Sequence, residues 1–246
     1  LYERAEHKEC LEIIETIQTL SFDHYYMRGR CRLELGRAAK AVADFREALS
    51  IRPAYPEAFK GLGQGLAQMG RHDDALSILN PLYAENPKDP DLTYTLGRIH
   101  FDRGDLEQAR DFLTECLQGT KHEFHANRHL GIIHRRLGSD SDAVPYLSTA
   151  IELNPNDYLT FENLGQALAD LGRLDDLKAT VVSVLDQDPG NPSVWNSAGI
   201  FLKTAQAATT GIDYMKLAAN KFPEQPVIQF NLAHMMNETT LAEEAF

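Results

Sequence analysis

The chain has 246 residues, 43% hydrophobic and 24% charged, enough apolar content to bury a continuous core. Its formal net charge of −12 opposes the basic footprint with which a nucleic-acid binder displaces counterions. No window approaches the ~18 consecutive apolar residues that would span a bilayer, and Cys10, Cys31 and Cys116 lie too far apart for a Cys-x-x-Cys metal pair or a disulfide framework.

The first predicted element is an apolar-faced helix over residues 7–20, carrying Cys10, Leu11, Ile13, Ile14 and Ile17. Small, semi-buried thiols of this kind fit a reducing, cytoplasmic setting. From Phe22 onward the chain repeats. Gly29, Gly63, Gly97, Gly131, Gly165 and Gly199 stand 34 residues apart, and Gly36, Gly70, Gly104, Gly138 and Gly172 follow the first five by seven. Alanines (Ala41, Ala75, Ala109, Ala143) and prolines (Pro53, Pro87, Pro155, Pro189, Pro223) keep the same register. The units are 22–55, 56–89, 90–123, 124–157, 158–191 and 192–225; residues 1–21 hold the second helix of a preceding unit, and 226–246 begin a seventh.

Numbering positions from one within each unit, apolar or small residues at 4, 7, 8, 11 and 14 trace a helical stripe. Glycine at 15 ends that helix. A second stripe at 20, 24 and 27 follows, with acidic residues crowding its start (Asp73, Asp74; Asp175, Asp176), and proline at 32 stops it. Two antiparallel helices per unit result, about fourteen in all, with glycine at 8 and alanine at 20 letting their backbones approach. Pro81 and Pro145 fall inside second helices and are expected to bend them locally. Gln206 replaces glycine at 15 and Gly211 replaces alanine at 20, which leaves the turn of unit 192–225 the least regular. Ala245 falls at position 20 of the seventh unit, so a second helix is expected to begin there, and its apolar stripe to be covered by further repeats or by self-association.

This pattern resembles the tetratricopeptide repeat, with its 34-residue period and W-x2-L-G-x2-Y, A-x3-F, P signature. The resemblance covers all but roughly the first twenty residues. It implies an all-α fold, a right-handed superhelical α-solenoid of antiparallel helix pairs. It also implies a protein-protein interaction scaffold whose concave groove binds a peptide segment of a partner. The second reading is a substrate-recruiting arm of a larger enzyme of the glycosyltransferase or sulfotransferase type. RNA binding by a related helical-pair repeat is opposed by the acidic charge and the regular glycine and proline lines.

On the first helices, positions 2, 6, 9 and 13 point away from the stripe, with position 5 flanking them, and this face would line that groove. The expected binding residues are Arg30, Lys60, Tyr94, Thr95, Arg98, His125, Arg128, His129, Arg136, Asn163, Ser197 and Asn231. Position 6 is polar from the third unit onward (Thr95, His129, Asn163, Ser197, Asn231), which suits an extended backbone needing donors and acceptors. It is similar to the asparagine ladder of O-linked N-acetylglucosamine transferases at Asn163 and Asn231. Unit 124–157 gathers His125, Arg128, His129 and Arg136, a basic spot expected to receive an anionic element of the partner. The carboxylate clamp of some relatives is not matched: Lys60, Gln64, Thr95, His125 and His129 occupy its places. His122, His125 and His129 lack the further ligands of a metal site. No phosphate loop, nucleophile elbow or His-Glu-x-x-His is present, so neither catalysis nor a cofactor is expected.

Overall fold

The computed structural model describes residues 2–117 and 121–244. The described residues form fourteen helices and no strand. Packing divides the chain into two units, Leu1–Cys116 and Leu117–Phe246. The first contains α1 (Tyr2–Glu15), α2 (Phe22–Glu34), α3 (Ala38–Ile51), α4 (Pro56–Gln68), α5 (His72–Glu85), α6 (Pro90–Arg103) and α7 (Leu106–Cys116). The second contains α8 (Glu123–Arg136), α9 (Asp140–Leu153), α10 (Tyr158–Asp170), α11 (Leu174–Gln187), α12 (Pro192–Thr204), α13 (Ala208–Lys221) and α14 (Pro226–Glu244).

Local chemistry sets these boundaries. First helices open on proline at N1 (Pro56, Pro90, Pro192), and Asp89, Asp157 and Asn191 cap backbone amides of the following turn. They close on left-handed glycines: Gly36, Gly70, Gly104, Gly138 and Gly172 all have φ between 66° and 87°. The amide beyond each glycine reaches back five residues, as in Arg71 N to the Leu66 carbonyl at 2.9 Å. Second helices end two residues before the proline at position 32. The residue preceding it, such as Arg52 (ψ 88°) or Asn154 (ψ 87°), is pushed out of the helical region by the pyrrolidine ring. Pro81 and Pro145 are exposed, and α5 and α9 continue through them.

The irregular turn of unit 192–225 keeps the common geometry at a cost. Gln206 adopts φ 62°, with Ala207 N bonded to the Leu202 carbonyl at 3.0 Å. A left-handed residue with a Cβ costs roughly 1–2 kcal/mol, partly offset by the greater chain entropy that glycine loses on folding. Gln206→Gly is therefore expected to stabilise this helix pair by about 1 kcal/mol, read as slower amide exchange in α12 and α13. No change in exchange would show that the strain is absent.

Glycine at position 8 works differently from the expectation. At every such glycine but Gly165, the missing Cβ makes room for the side chain at position 24 of the second helix. A Cβ on Gly63 would lie 2.5 Å from Leu79, and one on Gly131 would lie 2.3 Å from Leu147. Direct backbone approach occurs at Gly199 and Gly211, where a Cβ on Gly211 would meet the Gly199 carbonyl oxygen at 2.6 Å. That approach accounts for the departure from alanine at position 20.

Both ends differ from the expected bounds. The first helix is 2–15 rather than 7–20, ending where Thr16 turns its amide and hydroxyl onto the Ile13 carbonyl. The last helix runs unbroken from Pro226 to Glu244, through Thr240, where the earlier units have a glycine or Gln206. With no residue suited to a left-handed turn there, the helix continues past position 15. Ala245 lies outside the described residues.

The first unit buries Phe45, Leu62, Leu66, Leu79, Leu92, Leu96 and Ile99; the second buries Leu147, Phe161, Leu164, Leu168, Val181 and Phe201, with Ile212, Met215, Ile228 and Met235 beyond. Each such side chain contributes ~1.5–3 kcal/mol of hydrophobic free energy. His100 and His134, both at position 11, stack on Phe112 and Tyr146 at 5.5 and 5.3 Å. Unit 22–55 is the exception: its positions 7 and 11 are Arg28 and Arg32. Both bind the buried Asp44, at 2.7 Å each, and Arg32 also reaches Glu15 of α1 at 3.2 Å. Nearby, burial pushes the Cys31 thiol up to about 12, helped by a hydrogen bond with the free Cys10 thiol.

Candidate binding face

Within each unit the first helices touch one another (α2 with α4, α4 with α6; α8 with α10, α10 with α12, α12 with α14). Second helices meet through long side chains, as where the Tyr83 hydroxyl of α5 donates to Glu115 of α7 at 2.9 Å and its ring meets Phe112 edge-on. Positions 2, 5, 6, 9 and 13 of the first helices make up the face that the tetratricopeptide resemblance places inward.

The inner face of the first unit is charged and internally paired. Lys60 holds Asp89 at 2.6 Å and Glu57 at 2.7 Å. Burial acts to lower its pKa, but the bonds to Asp89 and Glu57 outweigh this and leave it raised. Thr95 is buried; its hydroxyl donates to the Asp91 carbonyl at 2.7 Å and accepts from Gln64 at 3.2 Å. Arg30 is exposed, with its guanidinium 5.9 Å from the Tyr26 ring centre, while Tyr94 and Arg98 are half-buried.

In the second unit the basic residues of α8 occupy different settings. Arg128 binds Asp157 at 3.1 Å and lies 5.3 Å from the Phe124 ring centre. This bond repeats the Lys60–Asp89 pair two repeats on: a cation at position 5 grips the capping aspartate of the next first helix. His129 is buried, its Nδ1 2.7 Å from the His125 carbonyl. Arg135 holds Asp140 at 3.0 Å, Asp170 at 3.6 Å and the Asn163 carbonyl oxygen at 3.2 Å. His125 and Arg136 are exposed.

The polar row at position 6 divides. Asn163 donates to the Leu159 carbonyl at 2.8 Å while its oxygen serves Arg135. Ser197 is buried, donating to Glu162 and sharing a bond with the Tyr158 hydroxyl at 3.0 Å. Burial, together with the bond to Glu162, pushes that hydroxyl up to about 12. Asn231 donates to Asn196 at 2.8 Å. This one bond leaves the Asn196 amide and the Asn231 oxygen as an unused donor and acceptor side by side. Asn196 sits at position 5 and is not among the expected binding residues.

Among the described residues, no group of three or more His, Cys, Asp or Glu side chains is placed to hold a metal ion. No described helix is long and apolar enough to cross a membrane.

Comparison with known proteins agrees with this architecture. The tetratricopeptide repeat family profiles match residues 32–82, 66–118 and 129–192. BBSome complex member BBS4 of Bos taurus is 23% identical over 242 residues, covering 94% of this chain and 45% of that protein. The chain thus spans less than half the length of this curated relative. Among solved structures, Pseudomonas aeruginosa pilF superposes with a TM-score of 0.67 at 18% identity, covering 87% of this chain and 97% of that one. YrrB, a TPR protein with an unusual peptide-binding site, gives 0.62 at 21%, covering 76% and 96%. With the 34-residue register, the paired helices and the profile matches in agreement, the chain belongs to the tetratricopeptide repeat family.

Proposed function

We propose that this chain is a non-catalytic scaffold whose second unit holds an extended peptide segment of a partner protein along the inner face of α8, α10, α12 and α14. The observation that carries this is the Asn196–Asn231 pair. Its unused amide and carbonyl oxygen match the alternating C=O and N–H groups of an extended backbone. The peptide-binding site of the structurally similar YrrB supports the same reading. The basic residues of α8 border this face, and an acidic group of the peptide would meet Arg128 in competition with Asp157.

Peptides selected on the whole chain from a random linear library provide the test. Replacing Asn196 and Asn231 by Ala should weaken their binding by about 1 kcal/mol for each hydrogen bond lost. The melting temperature should hardly move, since both residues are only half-buried. Unchanged affinity in the double variant would refute the backbone-binding role. Repeating the titration at low and high salt reports any anionic contact at α8.

A further inference from the structure

Beside the asparagine pair, α12 and α14 enclose a cleft of about 280 Å³ lined by Ile200, Lys203, Thr204, Asn231, His234 and Met235. Met235 is buried and Ile200 half-buried, so they form an apolar floor. The Thr204 hydroxyl is turned onto the Ile200 carbonyl at 3.0 Å, which satisfies the wall's polar group within its own helix. At the rim Lys203 binds Glu238, and His234 lies 3.5 Å from the same carboxylate. The rim's cation and anion therefore neutralise each other, and nothing in the cleft selects a charged occupant. Its volume lies at the lower edge of the ~300–1,000 Å³ of small-molecule sites. It suits one side chain.

We infer that the cleft between α12 and α14 is the specificity pocket of the peptide site, taking a single uncharged aliphatic or aromatic side chain of the bound segment. This rests on the proposed peptide-binding role and adds the class of residue read. The peptide backbone crosses the Asn196–Asn231 pair, and the adjoining side chain turns down onto Ile200 and Met235. Transfer of that side chain from water to the apolar floor supplies affinity, while the asparagines fix its register.

The probe is the set of peptides selected from a random linear library on the whole chain. They should share one Leu, Ile, Met or Phe at a fixed place, and Ala there should lower affinity about tenfold or more. Thr204→Trp, made at an exposed position on the cleft wall, should fill the pocket and cause a similar loss, whereas Thr204→Ala should not. Methyl signals of Ile200 and Met235 should shift on peptide addition in the parent chain. Peptides that bind Thr204→Trp as tightly as the parent, yet lose affinity in the Asn196→Ala/Asn231→Ala variant, would overturn the pocket and leave the groove standing. Peptides indifferent to both changes, or no selected peptides at all, would overturn both.

Discussion

Gly131→Leu should unfold the α8–α9 pair at the expense of about 3 kcal/mol or more. A Cβ at Gly131 would already lie 2.3 Å from Cγ of Leu147, which is fully buried and has no room to retreat. Three further carbons must then force the helices apart. Overpacking of a tight core commonly costs 1–3 kcal/mol, and a clash with the branch point of a fully buried leucine belongs at the upper end. The useful control is Gly138→Ala in the following turn. Nothing lies within 4 Å of its Cβ site, so the cost there is purely conformational, about 1 kcal/mol, from φ 78°. Amide exchange in α8 and α9 is the right measurement, because long repeat arrays can lose all-or-none unfolding. Equal protection in Gly131→Leu and the parent would mean that the helices pair in another register.

Asp44→Ala should cost about 3 kcal/mol, because it leaves Arg28 and Arg32 facing one another with their shared carboxylate gone. The two guanidiniums keep some solvent contact, with side-chain exposures of 18% and 13%, which holds the loss toward the low end of the ~3–5 kcal/mol range for broken buried pairs. The informative companion removes the whole network. Arg28→Leu/Arg32→Leu/Asp44→Ile restores the apolar residues that positions 7, 11 and 23 carry in unit 56–89, namely Leu62, Leu66 and Ile78. Full replacement of buried ion networks is often neutral or stabilising. The triple variant should therefore match or exceed the parent in α2 and α3 exchange protection. A triple variant as damaged as Asp44→Ala would show that the charges carry net stability.

The 34-residue register made the helix pairs, their turns and most of the core legible, because each rests on a local rule: a left-handed glycine, a proline, a period of 3.6. Arg28 and Arg32 were visible as intruders in the leucine stripe, but their partner Asp44 lies on another helix and no spacing announces it. The polar row at position 6 was legible as a row, yet not in its bonding. Short polar side chains on a helix often return to the carbonyl four residues back, as Thr95, His129 and Asn163 do. Such bonds depend on rotamers rather than on sequence pattern. The missing turn near Thr240 was readable in principle, since no glycine stands there, but the repeat register overrode that local signal.

The packing of Phe45 and Phe201 bears on how such a chain can be lengthened or shortened. The Phe45 ring crosses to the next unit and occupies the space where Gly61 would carry a Cβ, only 2.4 Å from a ring atom. At the same position the later units have Thr95, His129, Asn163, Ser197 and Asn231, all of which carry a Cβ in that space. Phe201 likewise crosses back to Gly165, at 2.4 Å, where its own partner at position 24 is the small Val181. These two joints are thus cut to fit one neighbour each. Excising residues 56–89 would preserve the period but drive Phe45 into Thr95, so that repeat cannot be removed without recutting the joint.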